Sequence, residues 1–140
     1  MEIISARIED SKEISSLLQQ LGYPDTEHFV EDKIKFLLEH PDEELLTCKF
    51  NGKIVALISL HFIPQLALRG DFARISYFAV NENFRSGGIG RKLEEYCVEL
   101  AKARECDRIE VHCHSRRTKA HEFYYRQGYV ESPKYLVKLL

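Results

Sequence analysis

This sequence concentrates little in any one place, and each absence excludes something. It has no excess of charge of either sign: 20 Lys and Arg face 22 Asp and Glu, for a formal net charge of -2. A nucleic-acid binder would carry a basic excess or stripe, so no nucleic-acid partner is expected. An anionic small ligand stays open, because local clusters of charge matter more to a site than the total. The four cysteines (Cys48, Cys97, Cys106 and Cys113) include no CxxC pair. Neither a zinc site nor a disulfide framework is therefore expected, and the thiols read as reduced and buried. No basic-then-apolar segment opens the chain, so a secretory signal or a membrane span is not expected, and the compartment reads as cytoplasm. No repeat, low-complexity tract or Pro/Gly-rich linker occurs, and residues 1–140 read as a single domain. What remains is 44% hydrophobic and 30% charged, a balance that lets a chain of this length bury a real core.

Hydrophobic spacing divides the chain into elements. Residues 1–8 alternate weakly and predict a strand. Asp10 or Ser11 can cap a helix whose Ile14, Leu17, Leu18 and Leu21 share one face, and Gly22 stops it. Thr26 predicts the cap of a second helix carrying Phe29, Val30, Ile34, Leu37 and Leu38, with Pro41 just beyond its end. Residues 44–50 and 53–62 predict strands joined by Asn51-Gly52, a strong hairpin signal. Strands are expected at 73–80, 108–114 and 135–139. Helices are expected after Gly90, burying Ile89, Leu93, Cys97, Leu100 and Ala101, and over 118–127, ended by Gly128. A hairpin followed by strand–helix–strand–helix–strand implies an α/β fold with a partly antiparallel sheet flanked by helices.

Between the strand at 73–80 and the helix after it lies Arg85-Ser86-Gly87-Gly88-Ile89-Gly90-Arg91. Its three glycines remove side chains that would hold a ligand off the backbone. A helix start offers unpaired N–H groups and a positive dipole end, together a seat for phosphate oxygens. Arg85 and Arg91 add positive charge. Glycines alone would also serve a tight turn. The ATP/GTP loop is excluded, since no Gly here is followed by Lys and then Ser or Thr. The dinucleotide pattern GxGxxG fails at Leu93.

The turn does not stand alone. Arg85-x-x-Gly88-x-Gly90 resembles the Arg/Gln-x-x-Gly-x-Gly/Ala signature of the GCN5-related N-acetyltransferases, the GNAT superfamily. Arg117-x-x-Ala120-His121-x-Phe123-Tyr124-x-x-x-Gly128-Tyr129 is similar to the second motif of that superfamily, at its usual distance. The likeness covers nearly the whole chain and is far less specific for substrate. It implies a mixed-sheet acyl-CoA N-acyltransferase fold that splays the strands at 73–80 and 108–114 apart around the thioester of acetyl-CoA. It also implies that backbone groups of Phe78, Ala79 and Val80 pair with the pantetheine arm. The amides of residues 85–91 (Arg85, Ser86, Gly87, Gly88, Ile89, Gly90 and Arg91) would bind the pyrophosphate, and no metal is called for. A backbone N–H near Val80 would polarise the thioester carbonyl.

Tyr124 stands where relatives place a hydroxyl against the CoA sulfur, and a phenol can give a proton to the leaving thiolate. Its other reading is packing beside Phe123, itself read as core. Arg117 either contacts the cofactor or caps the helix. Relatives often carry a carboxylate in the strand before the glycine turn, where this chain reads Arg74-Ile75-Ser76-Tyr77. Glu82, His112, His114 or ordered water are the candidates for the missing base, and none is assigned. The expected reaction is direct attack of a primary amine, of a small molecule, on acetyl-CoA in a ternary complex. A non-catalytic acyl-CoA-binding sensor and a protein N-acetyltransferase are the alternatives, and the resemblance leaves a homodimer open. The acceptor side would comprise residues 22–28 and the loop at 64–71.

Overall fold

Five strands form one sheet in the order β1-β2-β3-β4-β5. The computed structural model describes residues 1–113, 116–132 and 135–140. The strands are β1 (Glu2–Ser5), β2 (Glu43–Phe50), β3 (Lys53–Ile63), β4 (Phe72–Val80) and β5 (Arg108–Val111). The helices are α1 (Ser11–Leu21), α2 (Val30–Glu39), α3 (Ile89–Ala103) and α4 (Thr118–Arg126). The first four strands are antiparallel neighbours, and β5 joins β4 in parallel. This is the mixed α/β architecture that the element order predicts.

Asn51 and Gly52 both take positive φ, 51° and 77°, the pair of left-handed residues that a two-residue hairpin needs to match strand twist. Central β3 is buried on both faces along most of its length, which explains its near-continuous apolar run. Ile14 and Leu17 of α1 and Val30 and Ile34 of α2 pack with Leu45, Leu57 and Ala79 on one face. Leu93, Cys97 and Ala101 of α3 and Tyr124 of α4 pack with Ile58, Leu60, Ala73 and Ile75 on the other. Each fully buried Leu, Ile or Val side chain among them contributes about 1.5–3 kcal/mol relative to exposure.

Four local expectations need correction. Thr26 does not cap α2, because Phe29 occupies that position. Instead the Thr26 hydroxyl donates to Ser15 Oγ at 2.9 Å, tying the connection to α1. Phe29 and Leu38 are exposed, so the buried face of α2 is narrower than its apolar spacing suggests. Asp10 does sit at the N-cap of α1, but its carboxylate turns back to accept from Arg7 N and to pair with Lys49. The strand expected at 135–139 does not form: among the described residues none pairs with it, and Leu136, Leu139 and Leu140 are exposed. A short apolar run suits a strand but supplies no partner for its backbone.

Among the described residues, two β-bulges interrupt the sheet. One breaks the β2–β3 register at Cys48/Lys49. The other, between Ser59 and Leu60 of β3, leaves Ser76 of β4 without a partner between Ile75 and Tyr77. A bulge bends its strand and re-aims side chains. Pairing between β4 and β5 ends at the same point, at Ile75 opposite Val111.

Candidate active site

Beyond Ile75 only one edge of β4 remains paired. Phe78, Ala79 and Val80 stay in register with Ile58, Leu57 and Ala56 of β3. On the other side no strand among the described residues covers 76–80. The main-chain groups on that side form an open sheet edge, the kind that an extended ligand can extend as an added strand. Arg85 Nε donates to the Val80 carbonyl at 3.2 Å, closing its far end. The opening of β4 from β5 has the splayed form that the resemblance implies.

The glycine turn begins where that edge stops. Asn81 N donates to Val55 O at 2.7 Å, and the Asn81 side chain accepts from Asn83 N at 2.9 Å, closing a tight 3-10 turn over Glu82–Phe84. Ser86 and Gly88 then take left-handed φ values of 68° and 81°, and Gly88 becomes the N-cap of α3. It brings no side-chain cap, and the first turn of α3 carries no acidic residue. The first bond of the helix, Lys92 N to Gly88 O, leaves Ile89, Gly90 and Arg91 with the unpaired N–H groups of any helix start. These donors fit a diphosphate, since they supply positive dipole ends and no competing carboxylate.

The glycines differ in what they do. A Cβ on Gly88 would meet nothing within 4 Å, and one on Gly87 would meet only the Phe84 carbonyl, at 3.5 Å. Both leave backbone accessible. A Cβ on Gly90 would instead lie 3.4 Å from the Phe123 ring and 3.8 Å from Val80 Cγ2. Those are ordinary contact distances, so Gly90 lies close to α4 and β4 while Gly88 faces open space. Beside them, Arg91 Nε donates to Glu95 Oε1 at 2.8 Å on the exposed surface, an i, i+4 pair along α3.

From the opposite side α4 brings Tyr124 under β4. Phe123 and Tyr124 lie 5.8 and 6.5 Å from the Phe78 ring, edge to face, a favoured geometry for aromatic pairs. Tyr124 is buried. That burial pushes its phenol well above the ordinary range, the Cys113 thiol adds to the rise, and the Arg117 guanidinium opposes it. The group is thereby held as neutral O–H, a donor. Arg117 occupies the N-cap of α4 without a side-chain capping bond. Behind Tyr124, the Tyr129 hydroxyl donates to Glu94 Oε1 at 3.0 Å, and burial raises that carboxyl.

The expected base candidates do not converge here. Glu82 is exposed, and its N–H binds Gln20 Oε1. β5 ends at Val111, so His112 lies beyond the strand, with its ring 4.5 Å from that of Tyr135. His114 falls outside the described residues. The sheet face beneath α1 and α2 holds instead a cluster that no motif announces. His61 Nε2 lies 2.5 Å from Ser76 Oγ, and His61 Nδ1 meets the Glu43 carboxylate. Asn51-Gly52 alone predicts Glu43 opposite Leu60; the bulge at Cys48/Lys49 moves it opposite His61. A groove of about 640 Å³ between α3 and α4 is lined by Glu94, Glu95 and Glu99 beside Arg91 and Arg126. Three carboxylates make it a poor seat for a phosphate group.

The sequence profile of the Acetyltransferase (GNAT) family matches residues 11–129. The chain belongs to that family. An uncharacterised N-acetyltransferase of Methanocaldococcus jannaschii is 30% identical over 99 residues, covering 69% of this chain and 43% of that protein. The aminoalkylphosphonate N-acetyltransferase of Salmonella typhimurium is 32% identical over 82 residues, covering 59% of this chain and 53% of that protein. The chain thus spans about half the length of the curated relatives it matches. The crystal structure of glucosamine-6-phosphate N-acetyltransferase from Arabidopsis thaliana superposes with a TM-score of 0.85 at 21% identity, covering 99% of this chain and 97% of that one. That likeness establishes the GNAT fold.

Proposed function

We propose that this GNAT domain, residues 1–140, transfers the acetyl group of acetyl-CoA to a primary amine of a small molecule, by direct attack in a ternary complex in the cytoplasm. The observation that carries this reading is the adjacency of two sets of unused main-chain groups. The open edge of β4 at 76–80 runs into the uncapped start of α3, with Gly90 against Val80. An extended pantetheine arm would add to Phe78, Ala79 and Val80, and its pyrophosphate would take the amides of residues 85–91, with Arg117 near the thioester end. Tyr124, kept protonated by burial, would supply the proton that the leaving thiolate needs. The small-molecule acceptor is supported by the relative named as an aminoalkylphosphonate N-acetyltransferase.

The test is thiol release from acetyl-CoA with a panel of aminophosphonates, amino sugars, polyamines and peptides with free N-termini. Turnover is expected on one of the small amines. Turnover confined to the peptides would overturn the acceptor assignment, and saturable binding of acetyl-CoA with no turnover on any amine would overturn the enzymatic one.

A further inference from the structure

Direct attack needs a neutral amine, and β4 carries no carboxylate at the point where its edge opens. We infer that Glu43, His61 and Ser76 form the proton relay that deprotonates the acceptor amine, an inference that rests on the acetyl-transfer reading. The three residues lie on neighbouring strands and one sheet face. Glu43 and His61 are cross-strand partners of β2 and β3, and Ser76 is the unpaired bulge residue of β4. The bulge turns Ser76 toward His61, whose Nε2 it meets at 2.5 Å. It also sets Ser76 at the apex where β4 parts from β5, exposed at the head of the open edge.

The hydrogen-bond roles follow from the partners. Glu43 presents a buried carboxylate oxygen to His61 Nδ1. A carboxylate only accepts, so the relay places the proton of the neutral imidazole on Nδ1, against Glu43, and leaves the Nε2 lone pair to accept from the Ser76 hydroxyl. Arg74, the cross-strand partner of His61, is engaged by Glu110 of β5 through Nε at 2.7 Å and through Nη2. Its charge is thus neutralised beside the ring. Glu43, Arg74 and Glu110 are the charged groups placed around the imidazole.

The step balances. The amine reaches the site as an ammonium ion; one N–H proton passes to Ser76 Oγ as the Ser76 proton passes to His61 Nε2. The freed lone pair forms the N–C bond, the C–S bond breaks, and the thiolate takes the Tyr124 proton. The acylated nitrogen sheds its second N–H proton, which passes through solvent to the Tyr124 phenolate, and His61 releases its proton to solvent. Base and acid approach from opposite faces of the sheet, since Ser76 faces the α1–α2 side and Tyr124 packs with α3 and β4. Tyr77, next to Ser76, meets Tyr23 of the α1–α2 connection edge to face at 5.2 Å. Two half-exposed rings there suit an approaching cation. His61 is the base, Ser76 the group that touches the amine, and Glu43 a positioning residue.

Three measurements test this. NMR of the histidine ring nitrogens should show His61 protonated at Nδ1, with a far-downfield Nδ1 proton that is lost in E43Q; the opposite tautomer overturns the relay with or without turnover. In steady-state kinetics H61N and S76A should lower kcat about 100-fold, as expected for loss of proton transfer, with KM for acetyl-CoA unchanged. E43Q should lower kcat about 10-fold. The acid-side fall of kcat/KM with pH should disappear in H61N, a change that a merely structural role of His61 would not produce. Unchanged kcat in H61N, or an acetyl group trapped on Ser76 in mass spectra, overturns the relay. Calorimetry with CoA separates the two levels: no affinity in the unsubstituted protein defeats the functional reading, whereas full affinity and full turnover in H61N defeat the relay alone.

Discussion

Tyr124 joins two roles that the sequence held apart. It is a core residue, packed among Phe78, Phe123 and Tyr129, and it ends in a hydroxyl whose ionisation burial opposes. The ring stabilises the fold, while in the proposed reaction the oxygen acts only as charge develops on sulfur. Tyr124→Phe keeps the ring and removes the oxygen. Its expected effect is a fall in kcat of about 100-fold with KM for acetyl-CoA nearly constant, the signature of an interaction made in the transition state. Steady-state rates on the best amine check this, and a rise in KM with constant kcat would assign the hydroxyl to ground-state binding. Gly88 and Gly90 show the same separation at a smaller size. One faces open space with positive φ, and the other lies at contact distance from Phe123. Their common spacing in the motif conceals different surroundings.

At the scale of the element, α3 carries both the proposed phosphate seat and part of the core. Its N-terminal turn is left uncapped, and its inner face presents Leu93, Cys97 and Ala101 to the sheet. Burial, chiefly, together with Glu94 and Glu44, pushes the Cys97 thiol up to about 12 from 9.0. A raised folded-state value means that the folded protein prefers the protonated thiol, while the unfolded chain ionises from the ordinary value upward. The contribution is therefore fully present below pH 9 and is lost as pH rises from there through 12. Urea midpoints measured across pH 8–11 should fall more steeply for the unsubstituted protein than for Cys97→Ala, though the variant starts lower because of the cavity it leaves. Parallel slopes would count against Cys97 as a source of the alkaline loss. Native Cys97 should also resist alkylation at pH 8, since the thiolate is the nucleophile.

Over the whole molecule, ligand binding and folding are linked. A donor that binds the folded chain alone at 100 times its Kd adds about 2.7 kcal/mol of stability. For a chain of this size that corresponds to a rise in Tm of roughly 8–10 °C. Thermal melts with acetyl-CoA should show it, and desulfo-CoA should reproduce most of it, because the proposed grip is on main-chain and diphosphate groups. A flat melt at saturating donor would contradict that grip. Much of this organisation was legible in the chain. The helices followed from apolar spacing, the β2–β3 hairpin from Asn51-Gly52, and the strand–glycine–helix order from Arg85-x-x-Gly88-x-Gly90, since each rests on short-range geometry that neighbouring residues dictate. What no local pattern encodes is pairing. Residues 135–139 read as a strand yet have no partner among the described residues, and the run from Phe72 to Val80 shows no sign that β5 leaves it at Ile75. Nor does the chain announce Glu43, His61 and Ser76 as a group. They meet because two bulges each shift a register by one residue. In a sheet a one-residue shift exchanges every cross-strand neighbour, so only the assembled tertiary structure decides which side chains stand opposite one another.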